Sequence, residues 1–280
     1  MTVDDLATIA AATAAQRHHV TQHGRPDGRP VVFLHGFGST QEMWHRVVPA
    51  FTPQHRVVLL DQAGAGSADP AAYDRARHSS LDGYAADLLD VCTELDLQDV
   101  VVVAHSVGSM VAARAAVAAQ GRITQLVMLA PSARYVDDPA EGYEGGFARE
   151  DIDELLDSLD HNYVAWTAAV APMVMGTPDR PELGEELTRS FRQTDPDTAR
   201  DFARVTFLSD SRDVLAHVAT PTLVLQCRHD ALAPAPAVRR VHTGIAGSVL
   251  VELEAVGHCP HVSAPEETAA VVLAHLGRAS

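Results

Sequence analysis

Residues 99–110, DVVVVAHSVGSM, run four consecutive valines into Ala104-His105-Ser106-Val107-Gly108 and open onto the alanine-rich stretch GSMVAARAAVAAQG at 108–121. A continuous β-branched run suits a strand covered on both faces, and small, good helix formers suit the helix behind it. A single serine therefore stands at the junction between a buried strand and a helix. A small residue, any residue, serine, any residue and glycine at such a turn is the nucleophile-elbow pattern, in which the tight turn exposes the hydroxyl and small neighbours relieve its crowding. Alanine stands at position 104 where the usual pattern has glycine, and it is still small enough for the turn.

Similar strands recur along the chain. VVFLHG at 31–36, RVVLLD at 56–61, LVMLAP at 126–131, TLVLQC at 222–227 and VLVELE at 249–254 are short apolar runs bounded by turn residues, with amphipathic stretches such as LDGYAADLLDVCTEL at 81–95 between them. The alternation predicts an α/β fold, a mostly parallel sheet flanked by helices. Between Arg134 and about Leu215 the rhythm changes. REDIDELLDSLD, RPELGEELTRSFRQ and DPDTARDFARVTFL carry acids or a proline near their starts and apolar residues at three- and four-residue spacing, with no convincing strand among them. Residues 135–214 thus read as an inserted helical lid between the two parts of a core, 17–134 and 215–280. Residues 1–16 read as an N-terminal extension, a loosely attached helix.

Composition narrows the function. The formal charge of -16 is spread without an acidic block, which predicts a solubilising surface that repels nucleic acid and anionic membranes. All 21 basic residues are arginine, so chemistry that depends on a lysine amine, such as Schiff bases, pyridoxal phosphate attachment and a Walker-type phosphate loop, is excluded. Cys92, Cys227 and Cys259 lie far apart and offer neither a disulfide framework nor a metal pattern. No signal peptide and no long apolar span is visible, and a cytoplasmic protein is expected. Pairs such as His18-His19 lack a carboxylate at ligand spacing; neither a metal nor a cofactor is expected.

A serine hydroxyl needs a base to take its proton and an acid to orient that base. Asp230 follows an apolar strand in LQCRHDALAP, at the C-terminal end where an open parallel sheet gathers its functional groups. His258 lies in AVGHCPHVSAPEET, after the last strand and before the closing helix. His261 is an alternative base, and the Gly257-His258 loop position favours His258. His35 and His105 flank the two loops at the site and read as packing or hydrogen-bonding residues. The helix after Ser106 directs free amides and its positive dipole end at the reacting centre, which makes the Val107 amide one oxyanion donor. HGFGST at 35–40 supplies a second, best placed at Phe37, unless that loop is a plain glycine turn. Asp61 and Asp69 also follow a strand, but Gly64-Ala65-Gly66 between them lacks the third glycine and the helix of a dinucleotide fingerprint and reads as a structural turn.

The segments HGFGSTQEMW, HRVVLLDQAGAGSAD, LDGYAADLLDVCTELDL, HSVGSM, YEGGFARED, HNYVAW, QTDPDTARDFAR, LQCRHDALAP and GHCPHVSAPEET make the chain resemble the α/β-hydrolase superfamily. Within it the chain is similar to RsbQ-like bacterial stress-response regulators, whose relatives include the plant karrikin and strigolactone receptors. The resemblance runs from about residue 30 to 275 and includes the lid. It implies Ser106 as nucleophile, Asp230 as acid, His258 as base, and the Phe37 and Val107 amides as the oxyanion hole. It implies a hydrophobic cavity between sheet and lid, for which Phe37, Phe147, Trp166 and Phe207 are the candidate lining residues. The substrate it implies is small and mainly apolar, bearing an ester, lactone or enol ether. His35 before the oxyanion loop and the N-terminal extension are the departures from the pattern, and neither touches the triad.

The ordered triad predicts a serine hydrolase working through an acyl-enzyme. The resemblance adds a slower, signalling role, in which a small hydrophobic signal is bound or cleaved and a lid movement is passed to a regulatory protein partner. A metabolic carboxylesterase, a carbon-carbon bond hydrolase and a cofactor-free haloperoxidase of the same fold are the alternatives. The chain is expected to be a monomer.

Overall fold

The computed structural model describes residues 12–277. The chain opens with a short helix, α1 (Ala14–Arg17), then β1 (Thr21–Gly24), β2 (Arg29–Leu34), β3 (His55–Leu60), α2 (Leu81–Glu94), β4 (Val100–His105), α3 (Val107–Ala118) and β5 (Ile123–Leu129). Five helices follow before the next strand: α4 (Arg149–His161), α5 (Tyr163–Met175), α6 (Pro181–Phe191), α7 (Pro196–Leu208) and α8 (Arg212–Leu215). The chain then returns to the sheet with β6 (Thr222–His229), α9 (Ala235–Gly244), β7 (Val249–Val256), α10 (Pro260–Ser263) and α11 (Pro265–Leu276).

Among the described residues one seven-stranded sheet has the order β1-β3-β2-β4-β5-β6-β7, parallel throughout except for β1, which pairs antiparallel with β3 at the edge. The valine run forms β4 at the centre, buried along its whole length. Strand side chains alternate between faces, and the core divides accordingly. Val32, Leu34, Val102, Ala104, Leu126 and Met128 pack with α2 and α3 on one face. Val31, Phe33, Val101, Val103, Val127 and Leu129 pack with Trp44, Phe51 and α11 on the other. All six strands read from apolar runs are present. β1 escaped that reading because TQHG is polar and mostly exposed, held by ladder bonds and not by burial.

The helices between β5 and β6 build a separate apolar layer, in which Ile152, Leu159, Trp166, Leu187 and Phe207 meet Met43, Leu232 and Val262 of the sheet unit. They lie over the C-terminal strand ends. The expectation for residues 1–11 falls outside the described residues. The part that is described is docked, not loose: Thr13 caps α1, Ala14 is buried, and its amide donates to Glu94 of α2. No helix among the described residues is long and apolar enough to cross a membrane.

Candidate active site

β4 delivers Ser106 in a strained conformation. The residue takes φ 55° and ψ −129° between the end of β4 and the start of α3. Such a backbone costs a non-glycine residue about 1–3 kcal/mol and persists only where packing enforces it. Here the Ser106 amide donates to the Leu129 carbonyl at 2.9 Å, and the turn packs so closely that a Cβ on Gly108 would stand 2.6 Å from the His35 carbonyl oxygen. The second glycine of the elbow is therefore required, whereas Ala104 sits fully buried in the sheet between Leu34 and Met128 with its methyl accommodated.

Asp230 follows β6, and His258 follows β7. The carboxylate of Asp230 accepts the amides of Leu232 and Ala233 on Oδ1 at 2.8 and 3.0 Å, which leaves Oδ2 for the His258 Nδ1–H at 2.8 Å. That donation fixes the neutral tautomer, and the bare Nε2 accepts from Ser106 Oγ at 2.8 Å. Ser106 and His258 are both buried. Three side chains predicted from separate strand ends thus form one hydrogen-bonded chain. His261 is excluded as the base by position: it is buried, neither ring nitrogen has a hydrogen-bond partner in the protein, and burial with the neighbouring imidazoles drives its pKa down to about 3. Asp61 is the structural group its context suggested, accepting the amides of Gln41 and Ser67, and Asp69 caps a turn through the Ala71 amide.

Among the described residues the amides of Phe37 and Val107 find no acceptor in the protein, and Val107 is the first residue of α3. The ring of Phe37 sits among four aromatic rings from the inserted helices, its centroid 6.3 Å from Trp166, 5.7 Å from Phe191, 5.8 Å from Phe202 and 5.9 Å from Phe207. A cavity opens above Ser106 and His258, lined by Phe37, Trp166, Phe207 and, beyond the sequence reading, Tyr135, Phe191 and Met173 among others. Its volume is only about 30 Å³. That is room for about two waters.

Phe147 does not line this cavity. Its backbone bridges to Val136, and its half-buried ring packs on the apolar layer of the inserted helices, so the residue serves the base of the insertion. The residue sequence reasoning missed is Tyr135. Its hydroxyl lies 3.2 Å from Ser106 Oγ, and since the serine proton is directed to His258, Tyr135 is the donor. Burial raises the phenol pKa well above its ordinary value, which keeps that donor protonated. The available signal was an aromatic with a polar tip a few residues past a strand end, in APSARY.

A parallel sheet with helices on both faces, a serine elbow and a histidine-aspartate pair at neighbouring strand ends define an α/β hydrolase. The alpha/beta hydrolase family matches residues 31–271, and the chain belongs to that family. It is 36% identical over 249 residues to the Karrikin insensitive 2 receptor IA of Petunia hybrida, covering 89% of this chain and 90% of that protein. It is 36% identical over 244 residues to the Strigolactone esterase D14 of Arabidopsis thaliana, covering 86% and 90%. Among solved structures, a hydrolase from Oleispira antarctica superposes with a TM-score of 0.91 at 34% identity, covering 94% of this chain and 96% of that one. The chain is a hydrolase, related to the karrikin and strigolactone receptor hydrolases.

Proposed function

We propose that the protein is a serine esterase acting on a small, mainly apolar ester, lactone or enol ether, with Ser106 as nucleophile, His258 as general base and acid, and Asp230 as the group that orients it. The observation that carries this reading is the continuous Asp230–His258–Ser106 hydrogen-bond chain, 2.8 Å at each link, facing an apolar cavity. Ser106 Oγ attacks the acyl carbon as its proton passes to His258 Nε2, and the carbonyl oxygen becomes an oxyanion held by the Phe37 and Val107 amides. His258 returns the proton to the leaving oxygen. Water, activated by the same imidazole, then cleaves the acyl-enzyme.

The finer reading is an RsbQ-like signalling hydrolase, in which the inserted helices of residues 135–214 act as a lid over the cavity and report occupancy to a regulatory protein. Its support is the small cavity of about 30 Å³ walled by residues of the inserted helices, which an outward movement of those helices would enlarge. The chain's likeness to a karrikin receptor of Petunia hybrida and to a strigolactone esterase of Arabidopsis thaliana supports it as well. Free thiols at Cys92, Cys227 and Cys259 suit a reducing, cytoplasmic setting.

Burst-phase and steady-state hydrolysis of short-chain aryl esters tests both levels. Ser106→Ala is expected to lower turnover on the order of 10⁴- to 10⁶-fold; an unimpaired variant overturns the esterase assignment. A Ser106-dependent burst followed by slow turnover is the result expected of a signalling hydrolase, and rapid multiple turnover favours a metabolic carboxylesterase.

A further inference from the structure

His258 is held by its main chain as well as by its imidazole. Its amide donates to the carbonyl of Val174 in α5 at 2.9 Å, so the loop carrying the imidazole is bonded to the inserted helices. Its carbonyl accepts from His105 Nε2 at 2.8 Å, so the same residue is bonded to the end of β4. A carbonyl oxygen only accepts, which assigns the His105 ring proton to Nε2 and leaves Nδ1 bare. Consecutive residues at the elbow therefore grip residue 258 in two ways, Ser106 through the side chain and His105 through the backbone.

The two main-chain bonds tie residue 258 to two different elements. α5 supplies Trp166, Val170, Met173 and Val174 to the wall of a cavity of about 30 Å³, so an outward movement of α5 would widen it for a substrate. β4 lies at the centre of the sheet and is buried throughout. His105 is buried as well, with its ring centroid 4.8 Å from His258 and 4.6 Å from His261, whose own ring lies 4.3 Å from that of Trp44. Burial, together with His261, His258 and His35 around it, holds the His105 imidazole neutral, so it offers one N–H and no charge behind the reacting centre.

Building on the assignment of His258 as general base, we infer that His105 is a positioning residue for it: the Nε2–H to carbonyl bond anchors the His258 main chain to the nucleophile strand, so that movement of α5 is not passed to the Ser106–His258 contact. The histidine inside the elbow motif is then part of how the catalytic geometry survives opening of the cavity.

The test compares His105→Phe, which keeps an aromatic ring and removes the donor, with His105→Gln, whose amide N–H can reach the same carbonyl. His105→Met is the second donor-free variant should the phenylalanine protein fail to fold. The donor-free variants are expected to lose about ten- to a hundredfold in kcat with KM changed less than about threefold, the loss growing with acyl-chain length as larger groups displace α5 further. His105→Gln is expected to recover most of the rate. Proton exchange at His258 Nδ1–H, followed by NMR in Ser106→Ala protein with and without each His105 substitution, reads the tether without turnover and should quicken when the donor is lost. Unchanged kcat and unchanged exchange in a folded donor-free variant overturn the inference while leaving the esterase reading intact. A wild-type protein that hydrolyses no ester, yet shows His105-dependent exchange, removes that reading and leaves the tether standing.

Discussion

Ser106 has one hydroxyl proton and two neighbours that compete for its oxygen. Because the proton goes to His258 Nε2, the Tyr135 hydroxyl at 3.2 Å donates into the remaining lone-pair region and limits where Oγ can point. Tyr135→Phe keeps the ring that packs 5.1 Å from Phe207 and leaves Ser106 still bonded to His258, so no buried group is orphaned. One neutral hydrogen bond contributes about 1 kcal/mol. The substitution is therefore expected to slow acylation by roughly fivefold, read as the burst rate with an aryl ester, with an unchanged melting temperature. A loss as large as that of Ser106→Ala would mean the phenol takes part in proton transfer, and no loss would mean the contact is incidental.

The elements position these groups through a few backbone contacts, and the sharpest lies between α5 and the His258 loop. Gly257 takes φ +84°, and a Cβ there would stand 1.8 Å from the carbonyl oxygen of Met175 at the end of α5. Neither partner is a flexible side chain. Gly257→Ala is expected to cost about 3 kcal/mol or more, from the left-handed backbone plus the overlap, and to abolish hydrolysis by displacing the imidazole. Gly247→Ala is the control, with φ +73° and open space around it, and should cost only about 1–2 kcal/mol with activity intact. Equal effects in denaturant unfolding would show that the contact with α5 is not what the glycine protects. This junction was invisible in the sequence, and α5 shows why. YVAWTAAVAPMVM is apolar all round and contains Pro172, so it has neither the polar face nor the charged caps by which α4, α6 and α7 were recognisable. Ser106, Asp230 and His258 were legible because each follows the C-terminal end of its own strand. Phe147 was misplaced and Tyr135 overlooked for one reason: aromatic composition marks an apolar layer, but which rings face the cavity depends on helix packing that local pattern does not encode.

At the scale of the whole molecule, the fold buries four histidines that it keeps uncharged. His18, His35, His105 and His261 are all buried, and burial is the first cause lowering the pKa of each. In the unfolded chain these imidazoles titrate near pH 6.5, so below that pH unfolding takes up protons that the native state refuses. Stability is then complete above about pH 7 and falls as the solution is acidified, for His261 down to its native pKa of about 3. His261, with a native pKa of about 3, removes about 1 kcal/mol by pH 5.5, a sizeable share of the 5–15 kcal/mol typical of a domain. The acids contribute little in that window because they titrate mostly below it. His261→Phe isolates one group: its ring nitrogens have no partner in the protein, so the substitution orphans nothing, and an aromatic ring can still lie against Trp44. Urea unfolding at pH 7.5, 6.5 and 5.5 is expected to show the wild-type free energy falling steadily and the variant falling less, by about 1 kcal/mol at the lowest pH. Parallel curves would mean His261 takes up its proton without unfolding, and that the rings behind the base tolerate a charge the packing argues they exclude.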